Sequence, residues 1–187
     1  MESKATVEKG VVPYERSKRP IASGVEIGHV HLKTADIDRV ARFYVDILGF
    51  DVVFRRPDAL FLSAGGYHHH LGFNTWESKG GSPPPLGTTG LYHVAIRYPT
   101  RATLGDALRR LVNAGWPLDG VNDHGTHEAL YLRDPDENGL ELCWDRPESE
   151  WPRDTEGHLT LQRRAARPRR PARRRRHARL GRFGSRG

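Results

Sequence analysis

The stretch IGHVHLK at residues 27–33 recurs in pattern as LYHVAIR at residues 91–97. Both segments are apolar or aromatic at most positions and have about the length of a β-strand. Each carries a histidine at its third position, His29 in the first copy and His93 in the second. The recurrence predicts two equivalent strands, each opening one copy of a repeated unit.

A helix-like pattern follows each predicted strand. Apolar residues recur every three or four positions, which places one apolar stripe on each helix. A glycine then stands where each helix should end, Gly49 in the first copy and Gly115 in the second, because glycine readily adopts the left-handed backbone conformation. The stripes consist of Ile37, Val40, Ala41, Tyr44, Ile47 and Leu48 in the first copy, and of Leu104, Ala107, Leu108, Leu111 and Val112 in the second.

Short strand-like segments complete each copy. They are residues 51–54, 60–63 and 69–76 in the first copy, and 129–132 and 140–144 in the second, where the turn-rich residues 134–139 separate them. The pattern predicts an α+β fold of two tandem β-α-β-β-β modules that form a curved, partly closed mixed β-sheet around a metal site.

The expected domain organisation has five parts. They are a flexible N-terminal lead-in (1–24), the first module (25–79), a Gly/Pro linker (80–90), the second module (91–152) and a disordered Arg-rich tail (153–187).

Charge is distributed unevenly over the 187 residues. The net charge is +7, yet residues 163–187 hold 12 arginines and no acidic residue, which leaves 18 basic against 23 acidic residues in the rest. The body is therefore mildly acidic, and the tail has the composition of a disordered polycation. Such a tail could contact nucleic acid through phosphates without sequence specificity, although no specific function is the favoured interpretation.

Composition also narrows the class of protein. The apolar runs are too short for a transmembrane helix, and residues 1–20 lack the apolar centre of a secretory signal. Cys143 is the single cysteine, which excludes a disulfide framework and a cysteine-based zinc site. We expect a cytoplasmic protein with no membrane partner.

The repeat points to a metal site. His29 aligns with His93, whereas His31 aligns with Ala95, so the repeat favours the first pair as ligands near a pseudo-twofold axis. Glu141 lies in the last strand of the second module, where the bare pattern is equally consistent with a solvent-facing side chain. Its counterpart in the first module is Gly72, so two histidines and one carboxylate would leave coordination positions open, as in non-haem Fe(II) oxygen chemistry.

Two further motifs carry a resemblance. HHHLGFNTW at residues 68–76 and DHG…EALYLRDPD at residues 123–136, together with the ligand positions, make residues 25–152 similar to the vicinal-oxygen-chelate superfamily. The motifs are most like those of its small catechol-2,3-dioxygenase-type proteins. Glu137 departs from the pattern, because the family usually places glycine there.

This resemblance implies roles and partners. His29, His93 and Glu141 would bind Fe(II), with Mn(II) as the other metal that the set can hold. The catalytic residues would be His69, an acid/base near dioxygen, and the substrate-binding pair of His124 and Tyr131. The reaction would be extradiol ring cleavage of a catecholic substrate, with both atoms of O₂ entering the product, as in the catabolism of aromatic compounds.

Other functions of the same fold stay open. One is a glyoxalase-like isomerase or thiol transferase, although those usually take a fourth ligand from the first module, where this chain has Gly72. Another is a protein that sequesters a small aromatic molecule or an antibiotic.

Homodimers are compatible with the exposed sheet edges. Trp76, Trp116 and Trp144 could line a ring-binding pocket, but core packing is their more common use.

Overall fold

The computed structural model describes residues 7–11 and 17–164. Its first half contains β1 (Val7–Val11), β2 (Val30–Lys33), α1 (Ile37–Ala41) with π-helical residues Arg42–Ile47, β3 (Asp51–Arg56), β4 (Ala59–Ser63) and β5 (Leu71–Asn74). Its second half contains β6 (Val94–Arg97), α2 (Arg101–Asn113), β7 (Leu118–Asp123), β8 (His127–Arg133), β9 (Gly139–Asp145), a 3₁₀ turn (Glu148–Glu150) and β10 (Thr160–Arg164).

Two four-stranded mixed sheets carry the fold. Their strand orders are β2-β5-β4-β3 and β6-β9-β8-β7, so the second sheet repeats the topology of the first. In each sheet the first and last strands of the module pair in parallel, and the other neighbours are antiparallel. The predicted repeat of β-α-β-β-β units is confirmed. Each sheet stays open, since no strand pairing joins the two sheets within the described residues.

Local sequence explains where the helices begin and end. The Asp36 side chain accepts a hydrogen bond from the backbone N–H of Arg39, which caps α1. Thr100 and Thr103 bond each other's backbone N–H groups at the start of α2. Both predicted glycine stops are confirmed, with φ of 88° at Gly49 and 64° at Gly115.

One hydrophobic core serves both modules. The back face of each sheet packs against its helix, and the two layers meet in a single cluster. Phe43 of the first module contacts Trp116 of the second, with ring centroids 4.4 Å apart. The Tyr44 hydroxyl donates across the same boundary to Asp134 Oδ2 at 3.1 Å. Contacts between buried side chains therefore join the two modules on the sides that carry the helices.

Two strands lie where the sequence predicted flexibility or disorder. β1 falls in the expected lead-in and β10 in the expected tail, and they pair with each other in an antiparallel two-stranded sheet. A search for periodicity within either segment cannot detect this pairing, because the two strands lie far apart in the sequence. The remaining arginine-rich residues, 165–187, lie outside the described part of the chain.

The turn between β8 and β9 contains the glutamate that departs from the family pattern. Glu137 takes a positive φ of 67°, the only non-glycine residue to do so among those described.

Within residues 7–11 and 17–164, neither helix has the length and apolar character needed to cross a membrane.

Candidate active site

The polar side chains of the second module lie on the face of its sheet that points away from α2. Side chains alternate along a strand, so Leu130, Leu140 and Leu142 enter the core while their neighbours face the other way. The register pairs Tyr131 with Glu141 on that second face, which we call the front face. Tyr131 and Glu141, which flank the turn at residues 134–139, therefore lie side by side on adjacent strands.

Glu141 is the centre of this group. Its side chain is only 8% exposed, so the alternative of a solvent-facing glutamate is wrong. Glu141 Oε2 lies 2.9 Å from His93 Nε2, and Oε1 lies 3.0 Å from His127 Nε2 and 3.1 Å from the Tyr131 hydroxyl. Burial alone would raise the pKa of Glu141, but hydrogen bonds from His127 and Tyr131 outweigh it and lower the pKa. The carboxylate is held ionised.

Tyr131 connects that carboxylate to His124. The phenol donates to Glu141 Oε1, and His124 Nε2 lies 2.9 Å from the same hydroxyl. Because a phenol has one proton, this arrangement makes His124 Nε2 the donor to Tyr131. Burial and the nearby Glu141 charge raise the pKa of Tyr131 well above its usual value. Tyr131 therefore keeps its proton at neutral pH.

His127 belongs to the group, although the repeat and the motifs did not single it out. Its hydrogen bond to Glu141 raises the pKa of His127, and its ring stacks on His124 with centroids 4.6 Å apart. The available signal was strand alternation, since His127 and Tyr131 are four residues apart on β8 and share a face.

A second group of histidines lies in the first module. The His29 and His69 rings are 4.4 Å apart, and His69 Nδ1 is 2.8 Å from His68 Nδ1. Burial and the neighbouring imidazoles lower the pKa of His69. His68 lies beside His69 although the two residues are consecutive, because β5 begins only at Leu71 and strand alternation does not apply before it. His70 does turn elsewhere, towards Ser63 and the Ala64 amide.

The structure brings together two of the three predicted ligands. His93 and Glu141 are adjacent, and 2.9 Å is a suitable separation for two donor atoms on one metal ion. His93 Nδ1 is also buried without a hydrogen-bond partner. His29 instead contacts His68 and His69, and no cluster of three or more metal-binding side chains occurs in the described residues. The full predicted set therefore does not fit a metal within this single chain.

The three tryptophans considered for a ring-binding pocket have different surroundings. Trp116 and Trp144 pack against the core, as expected. Trp76 does not, since 65% of it is exposed beside His31.

A cleft of about 350 Å³ lies on the helical side, lined by residues of both modules and by none of the predicted site residues. Its lining consists of Arg39, Arg42, Phe43, Ile47, Trp116 and Pro135.

Comparison with known proteins agrees with this architecture. A sequence model of the Glyoxalase/Bleomycin resistance protein/Dioxygenase superfamily matches residues 26–142, more than half of the chain. This chain belongs to that superfamily.

Two curated relatives are dioxygenases by name. Catechol-2,3-dioxygenase of Bacillus subtilis (strain 168) is 39% identical over 141 residues, which cover 75% of this chain and 49% of the relative. Biphenyl-2,3-diol 1,2-dioxygenase 3 of Rhodococcus globerulus is 33% identical over 121 residues, which cover 64% of this chain and 63% of the relative. The chain thus spans about half to two thirds of the length of these relatives.

Solved structures support the fold alone. A glyoxylase/bleomycin resistance protein/dioxygenase domain from Frankia sp. EAN1pec superposes with a TM-score of 0.57 at 23% identity, covering 67% of this chain and 96% of that one. Lactoylglutathione lyase from Agrobacterium tumefaciens superposes with a TM-score of 0.51 at 20% identity, covering 64% and 92%.

Proposed function

We propose that this protein is an extradiol-type dioxygenase that cleaves the ring of an aromatic diol with O₂ and requires Fe(II), or Mn(II) in its place. The observation that carries the proposal is the hydrogen-bonded series from His124 through Tyr131 to Glu141 on the front face of the second module. The names of the two dioxygenase relatives support the same chemistry.

The residues of this series suit the handling of a diol proton. Ring cleavage requires the diol to lose a proton, and imidazole exchanges protons near neutral pH. We assign that exchange to His124, with Tyr131 turning its O–H from Glu141 to the substrate oxygen when the diol and metal bind. Tyr131 suits this role because its raised pKa keeps the phenol protonated. His69, in the first module, is proposed as the second acid/base.

A metal would supply the means to hold the diol and O₂ side by side. His93 and Glu141 would be two of its ligands. His29 as the third ligand stays a prediction, since His29 contacts His68 and His69 in the structure.

The glyoxalase-like alternative is weakened by the surroundings of Gly72. A Cβ atom at this position would lie 2.8 Å from His31 Nδ1 and 3.1 Å from the Phe61 ring. A fourth protein ligand at the position that mirrors Glu141 would therefore require His31 and Phe61 to move. The remaining alternative, a protein that only sequesters an aromatic molecule, predicts binding without oxygen consumption.

Oxygen uptake tests the proposal. Protein reconstituted anaerobically with Fe(II) should consume O₂ in proportion to added catechol and develop the absorbance of a ring-cleaved product. Tyr131→Phe and His124→Gln should each lower kcat/KM by roughly 100-fold, a common contribution of a general acid or base. His158→Gln is a matched control, because His158 pairs with Asp154 and Glu156 in a turn outside both modules.

Two outcomes would contradict the proposal. One is the absence of oxygen uptake by protein shown to contain iron. The other is parental turnover by both the Tyr131 and His124 variants.

A further inference from the structure

The cleft on the helical side of the molecule lies at the boundary between the two modules. α1 and the π-helical residues that follow it supply four of its lining residues, and the second module supplies Trp116 and Pro135. Its volume of about 350 Å³ falls in the range of pockets that hold small organic molecules. None of the residues proposed for ring cleavage lines it, so a ligand bound here would occupy a second site.

Two packed rings form the apolar wall of this cleft. The Phe43 and Trp116 rings have centroids 4.4 Å apart at an interplanar angle of 38°, and Phe43 is itself buried. The Trp116 indole N–H donates to the Arg133 carbonyl oxygen at 2.9 Å, which holds the indole in place. Ile47 and Pro135 complete the apolar lining. A fixed aromatic wall favours a flat ligand, because covering it costs little side-chain freedom.

Two guanidinium groups form the polar part of the lining. Arg39 is paired with Asp136, which compensates its charge. Arg42 is exposed, and its guanidinium forms no ion pair within the described part of the chain. The pKa of Asp36 is lowered chiefly by the Arg39 N–H and to a smaller extent by the Arg42 charge, but Asp36 and Arg42 are not paired. One positive charge at the cleft is therefore uncompensated.

The lining side chains offer hydrogen-bond donors and no oxygen acceptor. Arginine and tryptophan N–H groups are present, but no carboxylate, amide or hydroxyl group is. Arg39 Nε is buried without an acceptor among the described residues. A ligand with acceptor oxygens and one negative charge would complement this lining. A carboxylate supplies both, because its two oxygens can accept two N–H groups from one guanidinium.

We propose that this cleft binds a small aromatic monocarboxylate, with the ring of the ligand against Trp116 and its carboxylate on the Arg42 guanidinium. The site is separate from the front face of the second module and is independent of ring cleavage. A ligand held there would contact both modules at once. Since it binds the folded protein alone, it should raise the temperature at which the protein unfolds.

Three ligands separate the contributions of charge and ring. Benzoate carries both, benzamide is a neutral ligand of nearly the same shape, and acetate has the charge without the ring. In titration calorimetry of the full-length protein, benzoate should bind at least roughly tenfold more tightly than either of the others, because each lacks one of the two interactions. Equal affinities for all three ligands, or no binding of benzoate, would overturn the proposal.

Arg42→Gln tests the guanidinium assigned to the carboxylate. The Arg42 side chain is exposed and unpaired within the described residues, so its replacement should leave folding intact and lower the affinity for benzoate by roughly tenfold or more. Arg109→Gln is the matched control, because it removes the same charge from the exposed surface of α2, where Arg110 still pairs with Asp106. This control should retain the parental affinity. Equal losses in the two variants would show a response to net charge and would refute the site.

The Trp116 indole reports where benzoate binds. Its N–H signal in a nitrogen–proton correlation spectrum is identified by its loss in Trp116→Phe, and benzoate should shift it in the parent protein. The signal of Trp76, which does not line the cleft, should stay in place. Shifts confined to the His124 and His127 rings would place benzoate on the front face, and the proposal would then be wrong. None of these readouts depends on O₂ consumption, so the cleft and the dioxygenase proposal can fail separately.

Discussion

At the scale of single residues, hydrogen-bond donors decide how a buried acid behaves. Glu141 is buried, which by itself favours the neutral form, yet contacts from His127 and Tyr131 keep it ionised. Asp134 is the opposite case, because burial outweighs its hydrogen bonds and raises its pKa. The opposite pKa shifts of Glu141 and Asp134 therefore follow from the balance between burial and hydrogen bonding at each site.

Asp36 provides a residue-scale prediction with a defined pH dependence. The backbone N–H of Arg39 bonds its carboxylate and lowers the pKa of Asp36 below the ordinary 3.8. Asp36→Ala should reduce the free energy of unfolding by about 1 kcal/mol at pH 7, the usual value of an N-cap. A lowered folded-state pKa gives stability that is present above the unfolded pKa and is lost as pH falls through the folded pKa. The difference from the parent protein should therefore shrink on acidification.

Urea denaturation between pH 7 and pH 3 checks this prediction. Asp36→Asn is the control, because asparagine caps helices without titrating. Its stability relative to the parent should improve as the pH falls below 4. An alanine variant whose deficit is constant over the whole range would rule out the carboxylate as the cap.

Sequence reasoning at this scale succeeded where alternation and the repeat applied. The contact between Tyr131 and Glu141 follows from two strands joined by a short turn. The role of His127 was missed because a histidine near the start of a strand has many uses, and only the partner strand shows that it meets Glu141. The hydrogen bond of His31 to Asn74 was equally out of reach, since it depends on side-chain conformations across two strands.

At the scale of elements, Gly139 lets β9 approach the residues that lead into β6. A Cβ there would overlap the Tyr92 carbonyl oxygen and lie 3.1 Å from the His93 Cα atom, both in the backbone. Gly139→Ala should therefore push the start of β6 away from β9 and cost about 1–3 kcal/mol of unfolding free energy, as overpacking usually does. The same displacement should separate His93 from Glu141.

A stability measurement combined with metal affinity tests this prediction. Gly120→Ala is the matched control, because a Cβ at that strand position meets nothing within 4 Å. It should have little effect on the affinity of the protein for Fe(II), whereas Gly139→Ala should weaken it. Equal affinities for both variants would show that the approach of β9 does not position His93.

Element boundaries were predictable only where the chain is regularly patterned. The apolar stripes, and the glycines that follow them, predicted the positions of both helices. The strands β2 and β6 begin at Val30 and Val94, three residues later than their sequence pattern suggested, so His29 and His93 precede the strands. β7 was not singled out, since its sequence LDGVND contains glycine and three other residues that are uncommon in strands.

At the scale of the whole molecule, the sequence shows that two modules exist but not how they are placed. The internal repeat predicts the fold of each copy, because the strands and the helix of each copy have their own pattern of apolar residues. The contacts that join the copies depend on surfaces with no periodic signature, such as the ring contact of Phe43 with Trp116. The predicted convergence of His29 and His93 assumed a relative placement that the structure does not have.

Asp136 is the residue through which that placement can be tested. It is buried in the second module, where it binds the Arg39 guanidinium, the Thr34 hydroxyl and the Ala35 N–H of the first. Asp136→Ala should cost about 2 kcal/mol, less than a fully buried ion pair because 39% of the Arg39 side chain is exposed. Loss of this link should also reduce the cooperativity of unfolding between the modules.

Asp119→Ala gives the control for that measurement. Asp119 also pairs with an arginine, Arg133, but within one module and half-exposed, so its loss should cost well under about 1 kcal/mol. Tryptophan fluorescence follows unfolding well, because Trp116 lies at the boundary between the modules. A separate early transition in Asp136→Ala would locate the weak point at that boundary. Equal, small effects of the two substitutions would mean that apolar burial alone holds the modules together.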